Sequence, residues 1–210
     1  MNVLVLCDDF YHPSAVVRHG LQDLAARGIH FVWIEDAHAW SPGLMSLFPV
    51  VVLSKSNNVS SRNRDPWMTP RVEEAFVDYV RQGGGLLALH SGTADYQETP
   101  ALRALLGGVF ARHPAQCPVT VLPRPGHPLA EGSVAFTARD EHYQMAMGEG
   151  PVDLFVTTRS SHGEQPGGWT RGEGRGRVCV LTPGHNLDVW LHPSYQALVL
   201  NALRWVGQGQ

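Results

Sequence analysis

Apolar residues follow two patterns along the first half of the chain. Continuous apolar runs rich in β-branched residues predict buried strands at 2–7, 29–35, 48–54 and 85–90. Stretches with helical spacing between them predict helices at 13–28, 70–83 and 97–106. Strands buried on both faces and joined by helices are typical of parallel sheets. We therefore expect an α/β fold with a mainly parallel central sheet and helices on both faces.

The second half of the chain is less regular. Short apolar runs separated by Pro and Gly predict strands at 117–122, 133–138, 153–158 and 176–182, followed by an amphipathic helix at 193–206. The charged segment "RGEGRGR" at 171–177 is typical of an exposed hairpin turn that enters the strand 176–182. Because no linker or repeat interrupts these elements, we predict a single domain over residues 1–210.

Composition narrows the classes of function. The net charge of -3 gives no electrostatic reason to expect a nucleic-acid partner, and no apolar run is long enough to span a bilayer. The segment "MNVLVLCDDF" is typical of a first strand rather than of a signal peptide. Cys7, Cys117 and Cys179 are odd in number and far apart, which favours free thiols and a cytoplasmic location.

Polar residues follow the predicted strands where each of them ends. Asp9 and His12 come after the first strand, Asn57 after the third, His90 directly ends the fourth, and His185 follows the strand 176–182. Ligands of open parallel sheets bind beyond the carboxyl ends of the strands. These side chains are therefore candidates for one shared site. His90 and His185 are the strongest, because turn-forming or small residues beside each would let a ligand approach.

A carboxylate near these histidines leaves two kinds of chemistry open. The segment "RDEHY" supplies Glu141, His142 and Tyr143 close to a turn. His90, His185 and Glu141 are residue types that bind Zn²⁺, and a catalytic zinc site uses three protein ligands. The alternative is metal-free acid–base catalysis, with one imidazole as base and Glu141 or the second imidazole as acid. A further alternative uses Ser91 as nucleophile and His185 as base.

The order of motifs along the chain resembles the ThuA-like (trehalose utilisation) family. The motifs are "FYHP", "GGGLLALHSG", "GHPLAEG", "DEHY" and the closing "GEGRGRVCVLTPGHNLDVWLHPSYQALVLNALRWV". This family belongs to the class I glutamine amidotransferase-like superfamily, so the resemblance implies a flavodoxin-like three-layer sandwich. In amidotransferases the glycine-rich strand ends at a nucleophilic cysteine. His90 takes that place here, and an imidazole cannot form the thioester that glutamine hydrolysis requires.

The resemblance also implies a ligand and a cofactor. ThuA-like proteins are associated with carbohydrate metabolism, so a sugar or a 3-keto glycoside is the expected small-molecule partner. A divalent transition metal such as zinc is the expected cofactor, with His90, Glu141 and His185 as its candidate ligands and catalytic residues. The candidate substrate-binding residues, expected to orient hydroxyl groups, are Asp9, His12, Asn57, His142 and Tyr143.

Two hypotheses from different classes follow. The first is a metal-assisted enzyme that isomerises a sugar or cleaves its glycosidic bond, and that is not a glutaminase. The second is a non-catalytic sugar-binding or regulatory protein that retains the superfamily pocket. In a homo-oligomer, three tryptophans are candidates for an apolar interface between copies of the chain: Trp67, Trp190 and Trp205.

Overall fold

Strands and helices alternate regularly up to residue 106 in the computed structural model, which describes residues 1–208. The strands are β1 Asn2–Leu6, β2 His30–Ile34, β3 Val50–Leu53, β4 Gly85–Leu89, β5 Gly108–Arg112, β6 Cys117–Pro123, β7 Phe136–Asp140, β8 Gln144–Met147, β9 Asp153–Ser160, β10 Gly163–Glu173 and β11 Gly176–Leu181. The helices are α1 Ser14–Gln22, α2 Pro42–Met45, α3 Pro70–Arg81, α4 Pro100–Leu106, α5 Leu187–Trp190 and α6 Pro193–Val206.

A sheet of nine strands runs through both halves of the chain in the order β2-β1-β3-β4-β11-β10-β9-β6-β7. The first five strands pair in parallel, and the remaining pairings are antiparallel. Strands β5 and β8 form a separate antiparallel pair. The predicted α/β class is confirmed, but parallel pairing is confined to half of the large sheet.

Helices cover both faces of the parallel half, as predicted for strands that are apolar throughout. Odd-numbered residues of β1, such as Val3 and Val5, pack in a core with α1 and α6. Even-numbered residues, such as Leu4 and Leu6, pack in a second core with α3 and α4. Because successive side chains of a strand point to opposite faces, this alternation places the sheet between two helical layers.

The antiparallel half explains the irregular sequence after residue 107. Strand β10 carries Pro166, Gly167 and Gly168, and its register with β9 shifts between Pro166 and Trp169. A side chain at Gly167 would overlap Thr158 of β9, so only glycine fits this irregular pairing. The turn predicted at 171–177 is confirmed, because β10 and β11 pair up to Glu173 and Gly176.

The carboxyl ends of the parallel strands meet at one edge of the sheet. The register pairs Leu6 with Leu53, Leu53 with Ala88, and Leu89 with Leu181. The loops after β1, β3, β4 and β11 therefore start side by side. Lys55 is fully buried at this edge and donates hydrogen bonds to the carbonyl oxygens of Asp8 and Glu35. Burial lowers the pKa of its amine.

Buried side chains correct one expectation and confirm another. Trp190 is fully buried and Trp67 nearly so, which removes both from any interface between copies, while Trp205 is half-buried. Cys7 and Cys179 are free and buried, as predicted. Among the helices described, none is long and apolar enough to cross a membrane.

Candidate functional site

His90 stands at the end of β4 in a strained backbone conformation. Its φ of 43° lies in the left-handed region, which costs energy for a non-glycine residue. Two residues later, a Cβ atom on Gly92 would lie 1.9 Å from the carbonyl oxygen of Leu53 on the neighbouring strand. The small residues of "HSG" thus allow a sharp turn pressed against β3. Strained residues of this kind are concentrated at functional sites.

His12 comes from the turn after β1, and Asp9 fixes its ring. The Oδ1 atom of Asp9 lies 2.8 Å from His12 Nδ1 and also accepts hydrogen bonds from the backbone N–H groups of Tyr11 and His12. Its Oδ2 atom accepts from the N–H of Ser56. The Asp9 side chain is fully buried, so it positions His12 instead of contacting a ligand itself.

His185 lies in the loop after β11, which Asp140 holds in place. The buried Asp140 carboxylate accepts hydrogen bonds from the backbone N–H groups of Gly184, His185 and Asn186 at 2.8, 2.9 and 3.3 Å. Burial raises the pKa of Asp140, and these donors oppose the rise. The end of β7 is thereby tied to the end of β11, although the two strands are far apart in the sheet order.

The residues after Asp140 point in different directions. Glu141 faces the histidines, and its side chain is 12% exposed. The ring of Tyr143 stacks on that of His90 with centroids 4.1 Å apart. His142 is turned away and buried, with its two ring nitrogens bonded to the hydroxyl groups of Ser160 and Thr158. This segment therefore contributes one carboxylate and one aromatic wall to the site.

Four side chains from four separate segments converge beyond the strand ends. One ligand atom from each of His12, His90, Glu141 and His185 lies within 4.8 Å of the other three. Glu141 Oε2 is 3.5 Å from His90 Nε2 and 3.2 Å from His185 Nδ1. The ring of His12 lies 5.0 Å from that of His90 and 5.1 Å from that of His185. We call these four residues the donor cluster.

Three ring nitrogens of the donor cluster are buried without an aligned hydrogen-bond partner among residues 1–208: His12 Nε2, His90 Nε2 and His185 Nδ1. The opposite nitrogens of two of these rings have acceptors. Asp9 lies beside His12 Nδ1, and the carbonyl oxygen of Thr182 lies 2.8 Å from His90 Nδ1. A proton held at each Nδ1 leaves a lone pair at Nε2, directed into the cluster. This tautomer pattern is the one that metal-binding histidines adopt.

The electrostatics of the donor cluster keep its carboxylate ionised. Burial by itself would raise the pKa of Glu141, but His185 and His90 outweigh it and hold that pKa well below its usual range. The pKa of His185 is raised by Glu141, whereas burial lowers the pKa of His90. An ionised Glu141 carries no proton at neutral pH, which counts against the alternative in which it is the general acid.

A pocket of about 380 Å³ opens beside the donor cluster, within the range typical of small-ligand sites. Its lining residues come from both halves of the chain: Tyr11, His12, Ala94, Asp95, Phe110, His113, Glu141, Tyr143 and His185. His113 Nε2 lies 3.5 Å from Glu141 Oε1, the oxygen that faces away from the other histidines. His113 and Phe110 are not among the residues that the sequence predicts for the site. The one feature of the sequence that could have indicated His113 is the "RHP" turn that follows an apolar run.

Besides the buried Asp9, two further predicted substrate-binding residues do not reach this pocket. Asn57 accepts hydrogen bonds from the backbone N–H groups of Trp67 and Met68, which organises its own loop. His142 is excluded because both of its nitrogens face β9. The nucleophile alternative also loses support, because the buried hydroxyl of Ser91 has no hydrogen bond to His185 or to any other described residue.

The fold and the pocket define a flavodoxin-like α/β protein in which histidines and one carboxylate gather at the ends of the parallel strands. The family model for ThuA, described as trehalose utilisation, matches residues 2–206. The chain belongs to this family. None of the curated proteins matches it in sequence.

Solved structures share the fold at low sequence identity. A ThuA-like protein from Bacteroides uniformis superposes with a TM-score of 0.74 and 19% identity, covering 98% of this chain and 91% of that one. A cytoplasmic protein from Salmonella typhimurium LT2 gives a TM-score of 0.74 and 15% identity over 98% and 99% of the two chains. A β-galactosidase from Rahnella sp. R3 gives 0.65 and 15% identity, covering 97% of this chain and 31% of the enzyme.

Proposed function

We propose that this protein is a metal-assisted enzyme of carbohydrate metabolism that acts on a sugar or keto-sugar, and that it works in the cytoplasm. The observation that carries the proposal is the convergence of three unpartnered imidazole nitrogens on one ionised carboxylate. Buried polar atoms without partners are costly, and a bound cation would satisfy all of them. The family description supports a carbohydrate as the ligand.

The donor set fits a divalent transition metal such as zinc. Neutral imidazole nitrogens and carboxylate oxygens are ligands that zinc accepts. His90, Glu141 and His185 would hold the ion, and His12, which the sequence predicts as a substrate-binding residue, would add a fourth donor. When bound, such an ion polarises a carbonyl or hydroxyl oxygen of the ligand.

The residues around the donor cluster fix its orientation, form an aromatic wall for the ligand and provide a proton acceptor. Asp9 and the carbonyl of Thr182 fix the two imidazole tautomers, and Asp140 fixes the loop of His185. Phe110 and Tyr143 form an aromatic wall, with ring centroids 4.2 Å apart. His113 Nε2 lies 3.5 Å from Oε1 of Glu141, the oxygen that faces away from the other histidines. Because His113 lines the pocket and is outside the donor cluster, its Nε2 atom can exchange a proton with the ligand.

A 3-keto glycoside suits these groups. Its carbonyl acidifies the adjacent C2–H bond, so loss of that proton to His113 forms a C1=C2 double bond as the C1–O bond breaks. The departing alkoxide oxygen takes up the proton that His113 accepted, which regenerates the base, and the products are an unsaturated keto-sugar and an alcohol. The alternative isomerisation begins with the same proton removal. Both reactions need a positioned proton acceptor and a polarised carbonyl, which general acid–base and metal catalysis provide.

Turnover of methyl 3-keto-α-D-glucopyranoside by zinc-loaded protein, followed by proton NMR, tests this proposal. We expect consumption of the sugar by the wild type and a loss of about 100-fold or more in Glu141→Gln, because a neutral amide replaces the anionic donor. Glu149→Gln removes the same charge from an exposed position and should act like the wild type. Binding of the sugar without turnover would instead establish the non-catalytic alternative.

The contact between Asp9 and the Nδ1 atom of His12 gives a separate prediction. We expect Asp9→Asn to lower zinc affinity about 10–100-fold, the usual cost of losing a partner of a ligand histidine. Both carboxylate oxygens of Asp9 accept hydrogen bonds from N–H groups, one from His12 and the other from Ser56. In either orientation of the asparagine side chain, its NH₂ group would therefore face an N–H donor and one of these bonds would be lost. Chelator competition measures the affinity. Asp36→Asn is the matched control, because Asp36 pairs with His38 at 3.1 Å on the exposed surface. Equal affinity of both variants and the wild type would contradict the assignment.

A further inference from the structure

Asp95 is a pocket residue that the proposed function does not yet use. It lies in the pocket wall with His12 and Glu141, five residues after His90. Asp95 is exposed to solvent, its carboxylate makes no hydrogen bond or ion pair within residues 1–208, and partial burial followed by the charge of Asp9 raises its pKa. The pocket wall therefore carries a carboxylate that has no protein partner and is open to solvent or to a ligand.

The backbone at Asp95 is strained, and local bonding does not explain the strain. Its φ is 61°, in the left-handed region where glycine would be more stable. Aspartate tolerates this region when its side chain bonds to nearby backbone groups. Asp95 has no such bond. The conformation is imposed by its neighbours, because Ala94 bonds to the carbonyl of Ser91 and the buried Tyr96 hydroxyl donates to the carbonyl of Lys55.

The charge of the pocket points to the chemical class of its ligand. Asp95 and Glu141 are acidic, no lysine or arginine is present among the described residues that line the pocket, and the positive charge there comes from imidazoles and from the cation that the donor cluster would hold. Glu141 is already surrounded by imidazoles, whereas Asp95 is free. An ionised carboxylate accepts hydrogen bonds and donates none, so it suits the hydroxyl groups of a sugar. The same charge repels a carboxylate or phosphate at that position.

We propose that Asp95 binds hydroxyl groups of a neutral sugar in this pocket and makes the site discriminate against sugars that carry an anionic group. The assignment rests on the proposed function, since it names the substrate class of the same site. It makes Asp95 a residue that determines specificity through direct contact with the ligand.

Two substitutions separate this role from a structural one. Asp95→Asn keeps the size and the tolerance for a positive φ but removes the charge. Asp95→Gly also removes the side chain and relieves the backbone. The control is Glu98→Gln, which removes a charge from the same loop at an exposed position outside the pocket lining. Dissociation constants of zinc-loaded protein are measured by rapid mixing, before turnover consumes the sugar, for methyl 3-keto-α-D-glucopyranoside and for its C6 carboxylate.

We expect Asp95→Asn and Asp95→Gly to bind the neutral sugar about tenfold or more weakly, and the preference over the carboxylate to shrink in both. Zinc content should stay at the wild-type level, because Asp95 is outside the donor cluster. The melting temperature of Asp95→Gly should be equal to or above that of the wild type, and Glu98→Gln should match the wild type in every measurement.

The outcomes that oppose the assignment are distinct. Unchanged sugar affinity in both variants overturns the role of Asp95 and leaves the proposed function standing. Weaker binding accompanied by a large fall in the melting temperature of Asp95→Gly overturns it in favour of a structural role. A wild-type protein that binds zinc but neither sugar overturns the proposed function, and the assignment of Asp95 falls with it.

Discussion

One zinc ion per chain should be retained by protein purified without a histidine tag, and His185→Ala should weaken its binding by about 100-fold or more. Loss of an outer partner of a ligand histidine already costs roughly 10–100-fold, so loss of a donor itself should cost at least the upper value. His185 is preferable to His90 for this test. His90 is fully buried and its Nδ1 bonds to the carbonyl oxygen of Thr182, so alanine at position 90 would leave a cavity and confuse lost binding with lost stability.

Metal content measured by plasma emission and affinity measured by chelator competition check this result. His38→Ala is the matched control, because the ring of His38 is 74% exposed and lies outside the donor cluster. A wild-type protein that retains no zinc and gains none on titration would contradict the metal-assisted proposal. So would a His185→Ala variant whose affinity equals that of the wild type.

Gly92→Ala should be among the most destabilising single changes in the chain. A Cβ atom at this position would lie 1.9 Å from the carbonyl oxygen of Leu53, in the middle of the buried strand ends. Backbone groups cannot rotate away as side chains do, so the strand and the His90 turn would have to separate. We expect a loss of about 3 kcal/mol or more in the free energy of unfolding. For a chain of this length, that corresponds to a fall of roughly 6–12 °C in melting temperature.

Urea denaturation and thermal melting measure the effect of Gly92→Ala. Gly43→Ala is the control, because Gly43 lies in the short helix α2 and an added Cβ would meet no atom within 4 Å. Alanine favours helix over glycine, so this variant should be as stable as the wild type or slightly more stable. A melting temperature of Gly92→Ala close to that of the wild type would show that the turn does not depend on this close approach.

Most of the donor cluster could be predicted from the residues that follow the predicted strands. His90 and His185 each follow a continuous apolar run, and parallel strands bring the ends of such runs to one edge of the sheet. The structure places both beside Glu141 and adds His12 to them. Their roles in binding a metal or a sugar stay predictions. The sequence predicts His12 as a substrate-binding residue, and the structure places its ring beside the other three donors because Asp9 orients it, a contact that spacing alone does not reveal.

The antiparallel half of the sheet was harder to predict for a physical reason. Strand β10 contains Pro166 and two glycines, residues that are typical of turns, yet its pairing with β9 and β11 overrides these preferences. Tertiary contacts also decide which residues near Glu141 face the pocket. His142 and Glu141 are adjacent in sequence but point in different directions, and only the three-dimensional structure shows which of them enters the pocket.

Lys55 is the single lysine among the 210 residues, and its side chain is 1% exposed. The other residues counted as Lys or Arg are all arginines, and amine-directed acylating reagents do not modify their guanidinium groups. Acylation of a side-chain amine requires the opening of the sheet edge where β1, β2 and β3 end. The rate of modification at Lys55, followed by mass spectrometry, therefore reports how often the sheet edge that supports the pocket opens to solvent.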